Sequence, residues 1–202
     1  MGFTLIEILV VISIIGILAG LLYSGAMAVL QRVKVSHSEN TALNLRNAIV
    51  AYYTDYRRFP VSSGNSTDEY LDFTTNEDFM GPLLGADTPE AIRLNPKRTV
   101  FFSARTARRF GSDSFVKGIA FRDESGSGSL WDAWGHCYGV RIDVKNRERL
   151  KNPAHFQPNL QGIGAPDWGS GSSGELKYLA ESVVVWSAGK ENDLASDNVT
   201  SW

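Results

Sequence analysis

One acidic side chain, Glu7, stands near the head of a long apolar stretch. It closes the sequence Phe3-Thr4-Leu5-Ile6-Glu7, and residues 8–31 that follow it are uncharged. An ionised carboxylate in hydrocarbon costs several kcal/mol unless a cation neutralises it, and carboxylates at such positions are usually functional. The position of Glu7 therefore predicts a positively charged partner.

An α-amine is the cation that matches this carboxylate in size. If the chain is cleaved between Gly2 and Phe3, Phe3 carries a new amine close to Glu7 in sequence. The first residue of a helix cannot fold back well onto the fifth side chain of the same helix. We therefore expect the amine to come from a neighbouring copy, so that Phe3 and Glu7 form an assembly contact.

The sequence Gly2-Phe3-Thr4-Leu5-Ile6-Glu7-Ile8-Leu9-Val10-Val11-Ile12 resembles the processing site and first helix of type IV pilins and type II secretion pseudopilins. The resemblance implies that a prepilin peptidase cleaves after Gly2 and methylates the amine of Phe3. It also implies a homopolymer assembled by an inner-membrane platform together with minor pilins or pseudopilins. We interpret residues 1–2 as the remnant of a truncated leader, because the basic residues usual before the Gly are absent.

Other interpretations of the apolar stretch compete with this one. The positive-inside rule, applied alone, places Arg32 and Lys34 in the cytoplasm, opposite to the orientation that the resemblance implies. A secretory signal peptide is a second alternative, but no basic residue precedes the apolar run. A third is a simple single-pass anchor, with Glu7 at the membrane interface, where a helix N-terminus favours anions.

A long helix must carry these residues. Apolar and small residues recur at three- and four-residue steps beyond the apolar stretch, and no proline interrupts residues 3–59. A helix over residues 3–56 is roughly 80 Å long, so its first half projects from any small domain. We assign residues 3–28 to a transmembrane and filament-core segment. The predicted amphipathic stripe comprises Leu30, Val33, His37, Thr41, Leu45, Ala48, Ile49, Tyr52 and Tyr56.

Residues 29–202 are predicted to form one globular domain that includes the second half of this helix. Phe59-Pro60 ends the helix, residues 70–84 favour weak helix and residues 88–94 a short helix. Strand patterns occupy residues 99–103, 116–121, 137–144 and 179–186, and loops occupy 61–68, 124–129 and 162–174. The predicted fold class is α+β, with the helix packed on a small antiparallel sheet, as in the pilin fold.

The sequence Asp132-Ala133-Trp134-Gly135-His136-Cys137-Tyr138 is similar to a turn that precedes the first strand of major pseudopilins. An Asp side chain accepts hydrogen bonds from nearby amides, and Gly allows a positive φ, so this motif predicts a structural turn. A catalytic Cys-His pair is disfavoured, because adjacent residues of a strand face opposite sides.

The C-terminal segment, residues 187–202, looks like the acidic closing loop of major pseudopilins, in which oxygen ligands hold one calcium ion. Asp193, Asp197, Asn192 and Asn198 have the oxygen chemistry that Ca²⁺ requires. A solvated acidic tail with turn-forming Asp residues is the alternative.

Composition excludes several functions. A net charge of −2 and a pI near 5.9 give no electrostatic basis for binding nucleic acid. The single cysteine, Cys137, excludes an internal disulfide. No motif for phosphate binding or nucleophilic catalysis is present, so an enzyme is not predicted.

The sequence thus predicts a structural subunit of a type IV filament, stored in the bacterial inner membrane with a periplasmic domain. A major pseudopilin of type II secretion is the preferred form, and a pilin for adhesion or motility is the alternative. A membrane-anchored binding domain that never polymerises is the alternative from another class. Gly16 and Gly20 have the spacing of a close helix contact, and the other interpretation is local melting on assembly.

Overall fold

A computed structural model describes residues 4–61, 70–111, 114–145, 147–153, 178–190 and 199–201, with the backbone alone over residues 21–26. Over these residues, a long N-terminal helix packs against a four-stranded antiparallel sheet, accompanied by short helices and two-stranded pairs. The predicted α+β pilin fold is confirmed.

Helix α1 runs from Leu5 to Tyr56 and contains 52 residues. Thr4 caps its start, and Arg57 ends it in the left-handed conformation, with a φ of 53°. The amide of Arg57 donates to the carbonyl oxygen of Tyr53 at 2.8 Å. The predicted long helix is thus confirmed, and it ends before Pro60, since the residue before a proline is disfavoured in helical conformation.

The second half of α1 packs against the sheet through one face. The residues of α1 that are at least 95% buried there are Ser38, Ala42, Leu45, Ala48, Ile49 and Tyr52. They recur at three- and four-residue steps, which places them on one side of the helix. The prediction that Leu30 and Val33 belong to this face was wrong, because the domain does not reach them and they are 58% and 55% exposed.

The central sheet contains β1 (Leu71–Thr74), β6 (Gly139–Ile142), β9 (Val183–Ser187) and β10 (Val199–Thr200), in that order and all antiparallel. Val140 pairs with Phe73 on one side and with Val185 on the other. Every residue of β6 and β9 is buried. The strands predicted at 137–144 and 179–186 therefore form the centre of the sheet, as expected for β-branched runs.

Smaller elements surround the sheet. Helices α2 (Glu77–Leu84) and α3 (Pro89–Leu94) begin at the capping side chains of Asn76 and Thr88. Three two-stranded pairs complete the structure: β2 (Arg108–Arg109) with β3 (Phe115–Val116), β4 (Gly118–Phe121) with β5 (Gly128–Trp131), and β7 (Leu150–Lys151) with β8 (Tyr178–Leu179). The predicted helix at 88–94 is confirmed.

Three local predictions were wrong in whole or in part. The helix predicted over residues 70–84 is confirmed only for α2, because residues 71–74 form β1 and pair with the distant strand β6. Residues 99–103 form no strand, since the amides of Phe101 and Phe102 donate to the carbonyl oxygen of Leu83, at 2.9 and 3.0 Å. The loop predicted at 124–129 ends in β5, where Gly128 pairs with Phe121.

The first half of α1 is apolar and lies outside the packed domain. Within the part of the chain that the structure describes, no helix has an apolar run long enough to cross a membrane. The assignment of residues 3–28 to a transmembrane segment stays a prediction. The predicted loop at 162–174, and all but Val61 of the predicted loop at 61–68, lie outside the described residues.

Candidate functional site

Glu7 lies in the first turn of α1, and its carboxylate turns back toward Thr4. Oε2 of Glu7 accepts hydrogen bonds from the amide and from Oγ1 of Thr4, at 2.8 and 2.7 Å. The amide of Glu7 donates in return to Oγ1 of Thr4 at 3.4 Å. This reciprocal arrangement is a capping box, which satisfies amides that have no partner at a helix start. Thr4 thus holds the Glu7 side chain at the start of the helix through one of the two carboxylate oxygens of Glu7.

Aliphatic side chains surround the helix next to Glu7. All of the following keep about half or more of their surface exposed: Leu5, Ile6, Ile8, Leu9, Val10, Val11, Ile12, Ile14, Ile15, Ile17 and Leu18. The hydroxyl of Ser13 donates to the carbonyl oxygen of Leu9 at 2.7 Å, so even this polar group is satisfied within the helix. A contiguous apolar surface of this size marks a site that contacts lipid or another protein.

The Asp132 turn is built as predicted. Oδ1 of the fully buried Asp132 accepts hydrogen bonds from the amides of Trp134, Gly135 and His136, at 2.8, 2.8 and 2.9 Å. Gly135 has a φ of 103°, a conformation that favours glycine. The turn thereby places the fully buried Tyr138 directly before β6.

The sequence did not reveal that this turn is tied to the end of β9. Oγ of Ser187 donates to Oδ2 of Asp132 at 2.5 Å and accepts from the amide of Gly189 at 3.1 Å. One buried carboxylate thus connects the turn before β6 to the start of the C-terminal segment. The only signal in the sequence is a serine that ends an apolar strand just before Ala-Gly, and this pattern does not indicate which residue the serine binds.

Cys137 lacks the properties of a nucleophile. Burial raises the pKa of its thiol to about 11, which keeps it protonated at neutral pH. Nδ1 of His136 lies 3.9 Å from Oδ2 of Asp132, beyond hydrogen-bond distance. The thiol is therefore not activated, and Asp132 does not orient the His136 ring through a hydrogen bond.

The four residues predicted to bind calcium, Asn192, Asp193, Asp197 and Asn198, lie outside the described residues. The structure describes the two ends of the segment that contains them, where Val199 of β10 pairs with Ser187 of β9. Within the described ranges, no group of three or more His, Cys, Asp or Glu side chains could hold a metal ion.

Residues 2–23 match the family model described as the prokaryotic N-terminal methylation motif. The chain has a prepilin-type N-terminus. This prepilin-type segment contains Glu7 and the exposed aliphatic side chains around it. It also contains Gly2 and Phe3, which lie outside the described residues, so cleavage and methylation there stay predictions.

A relative supports the same resemblance. The type II secretion system core protein G of Aeromonas hydrophila is 33% identical to this chain over 81 residues, which cover 40% of the chain. The match spans 53% of that relative, about half of its length. No solved structure matches the chain. The prepilin-type segment and this relative confirm the resemblance to type IV pilins and pseudopilins that the sequence predicts.

Proposed function

We propose that the chain is a structural subunit of a type IV filament, closest in type to the major pseudopilin of type II secretion. The observation that carries the proposal is the prepilin-type segment with aliphatic side chains exposed on all sides of α1. Covering these side chains, at about 1 kcal/mol for each half-exposed one, stabilises the covered state by roughly 10 kcal/mol. A bilayer and a bundle of identical helices both supply this cover.

Glu7 supplies the assembly contact in this proposal. Its carboxylate neutralises the amine that cleavage creates on Phe3 of a neighbouring subunit. The capping box supports this role, because Thr4 holds Oε2 of Glu7 at the helix start. The second carboxylate oxygen then remains to accept from the neighbour's amine. Neutralising the pair removes the cost of a lone charge inside the filament core.

The proposed role defines the location and the partners of the chain. The precursor resides in the inner membrane, with the globular domain in the periplasm. A prepilin peptidase processes it, and the inner-membrane platform assembles it with minor pilins or pseudopilins. The role is structural rather than enzymatic.

Substitution at Glu7 tests the proposal. Glu7→Ala should abolish filaments, measured by shearing and electron microscopy, while the domain keeps its melting temperature. The matched control is Glu39→Ala, which removes an exposed carboxylate from the same helix and should leave assembly intact. Filaments of Glu7→Ala as abundant as those of the wild type would contradict the assigned role.

The capping box also favours a second candidate function, a membrane-anchored domain that does not polymerise. In that case, Glu7 serves only as a helix cap, a role it shares with Thr4. Thr4→Val separates the two functions, because it weakens the cap and keeps the carboxylate. In a filament subunit, Thr4→Val should assemble far better than Glu7→Ala. In a simple anchor, both variants should remain in the membrane and neither should form filaments.

We further propose that the C-terminal segment binds one calcium ion through Asn192, Asp193, Asp197 and Asn198. Their carboxylate and amide oxygens are the ligands that Ca²⁺ prefers. The pairing of Val199 with Ser187 supports this assignment, since it brings the two ends of segment 188–198 together. When bound, the ion would offset the mutual repulsion of the acidic side chains.

Chelation tests the calcium site without an activity assay. EGTA should lower the melting temperature of the wild type, and Asp193→Asn should remove the difference. Asp87→Asn is the control, because Asp87 forms an exposed ion pair with Arg98 away from this segment. An unchanged melting temperature of the wild type in EGTA would reject calcium.

A further inference from the structure

A basic surface lies where α1 meets the globular domain, and we call it the basic junction. It comprises Lys34, Arg105, Arg108 and Lys117. Nη2 of Arg105 lies 3.1 Å from Nε2 of His37 on α1, and Nε of Arg105 donates to the carbonyl oxygen of Lys117 at 3.1 Å. The residues of the junction thus come from the helix and from two separate parts of the domain, residues 105–108 and Lys117.

The backbone fixes the position of these cations. The amide of Ile119 donates to the carbonyl oxygen of Arg105 at 2.9 Å, and the amide of Ala107 donates to that of Ile119 at 2.8 Å. Gly118 has a φ of 143°, and a Cβ there would lie 2.2 Å from the carbonyl oxygen of Arg105. Glycine is therefore required for the close approach that sets Arg105 beside Lys117.

Among the residues that the structure describes, none of the four cations of the junction forms an ion pair with a carboxylate. Basic side chains elsewhere do form such pairs: Arg46, Lys97, Arg122 and Arg141. Burial, together with Arg105, Lys34 and Arg108, lowers the pKa of Lys117. Burial, together with Arg105 and Lys117, lowers the pKa of His37. The junction is thus a concentration of like charge that an anion would stabilise.

Apolar side chains border the basic junction. Leu30 and Val33, 58% and 55% exposed, lie four residues and one residue before Lys34 on α1. Phe110 follows β2 at the tip of the β2–β3 hairpin and is 62% exposed, although its amide is fixed to the carbonyl oxygen of Ser114 at 2.7 Å. Basic residues next to exposed aliphatic and aromatic side chains are typical of surfaces that bind at a membrane interface.

We infer that the basic junction binds the phosphate groups of anionic phospholipids when the apolar half of α1 lies in a membrane. This inference rests on the proposed function, since it places the first half of α1 in lipid. A guanidinium and an ammonium group both bind phosphate, and juxtamembrane clusters of Lys and Arg recognise anionic lipids. The surface runs directly into the apolar helix, so a lipid leaflet covers both at once. This continuity favours a leaflet over an acidic face of a second copy.

Arg105 and Lys117 lie on the side of the membrane that holds the domain, where they would bind the phosphate groups of that leaflet. This binding would hold the domain against the leaflet before assembly, and extraction into a filament would break these contacts. The junction therefore stabilises the stored subunit relative to the assembled one.

The experiment uses the full chain inserted in nanodiscs of phosphatidylcholine, with or without phosphatidylglycerol. A Phe110→Cys variant carries an environment-sensitive fluorophore, and the pKa of Cys137, raised to about 11, slows its thiol and directs labelling to position 110. Phosphatidylglycerol should shift the emission to the blue, and about 1 M salt, where the Debye length is about 3 Å, should reverse the shift. The double variant Arg105→Gln with Lys117→Gln should lower the ratio of docked to undocked domains about thirtyfold, because each charge contributes about 1 kcal/mol.

Lys97→Gln with Arg122→Gln is the matched control, because it removes the same charge from exposed ion pairs elsewhere. An equal loss of signal in the control, or equal emission in both lipids, would overturn the inference. So would a shift that follows the number of chains per disc, or one that inorganic phosphate produces without phosphatidylglycerol. Failure of the chain to insert in either disc would instead contradict the proposed function.

Discussion

The two halves of α1 have similar aliphatic residues and opposite surroundings. Ile12 in the first half is 61% exposed, whereas Ile49 in the second half is fully buried. The first half is apolar on every side, and the second half is apolar along the one face that meets the sheet. The same helix therefore has to satisfy two environments.

This difference separates stability from assembly. The second half belongs to the hydrophobic core, so its side chains stabilise the folded domain. The first half contributes surface that only lipid or neighbouring subunits can cover. Substitutions in the second half should consequently change the stability of the domain, and substitutions in the first half should change assembly.

The largest effect on stability is expected at Arg141 in the sheet. Its buried guanidinium binds both carboxylate oxygens of Asp72, at 2.5 and 2.7 Å, and the carbonyl oxygen of Lys151 at 2.9 Å. Arg141→Ala leaves Asp72 without its cation and should lower the free energy of unfolding by about 3–5 kcal/mol. Denaturant titration of the full chain in detergent measures this. Glu7→Ala, the control in the apolar half, should leave the free energy of unfolding unchanged.

Ile49→Ala should lower the free energy of unfolding by about 2–5 kcal/mol, since it opens a cavity between α1 and the sheet. Ile12→Ala makes the same chemical change in the first half, where it should cost less than about 0.5 kcal/mol of domain stability. Thermal denaturation followed by near-UV circular dichroism checks both variants. Similar losses in the two variants would show that the first half is part of the folded core.

Glycines extend the comparison between the regions. A Cβ on Gly139 of β6 would lie 2.2 Å from Cε2 of Trp186, so Gly139→Ala should cost about 1–3 kcal/mol through overpacking. A Cβ on Gly16 of α1 meets no atom within 4 Å, and Gly16→Ala should instead favour the helix by up to about 1 kcal/mol. Denaturant titrations show whether each substitution raises or lowers the free energy of unfolding. Loss of filaments in Gly16→Ala would indicate that this glycine permits close packing between subunits.

The smallest effect concerns the pH dependence conferred by Cys137. Its pKa rises from 9.0 to about 11 through burial, so the folded state holds its proton at pH values where the unfolded state has lost it. Stability should therefore be fully present below pH 9 and fall as the pH rises toward 11. Between about pH 8 and about pH 10, the loss should be about 1 kcal/mol. Cys137→Ala should remove this component, and an identical pH profile in the variant would contradict it.

Features set by neighbouring residues were predicted well. The absence of proline over residues 3–59 and the regular apolar spacing predicted α1, and Thr88-Pro89 predicted the start of α3. The Asp132 turn was predictable because its donors are the next few amides along the chain. Each of these depends on contacts over a few residues, which a sequence displays directly.

Features set by distant residues were missed or misassigned. Strand β1 was predicted as helix, since its strand conformation depends on pairing Phe73 with Val140. Arg141 alternates with apolar residues like a solvent-facing position, yet it is buried because Asp72 lies opposite it in the sheet. No local pattern announces a partner that is brought near only by folding.

The sequence by itself determined the prepilin-type segment, the uninterrupted helix and the place of Glu7 at its start. These follow from residue type and spacing along one helix, whose geometry is the same in any surroundings. Tertiary structure alone decided that the domain leaves the first half of α1 uncovered. It also decided that Ser187 contacts Asp132 and that Lys34 lies near enough to Lys117 to lower the pKa of that side chain. Those contacts join residues far apart in the chain, and their positions follow from how the sheet packs against the helix.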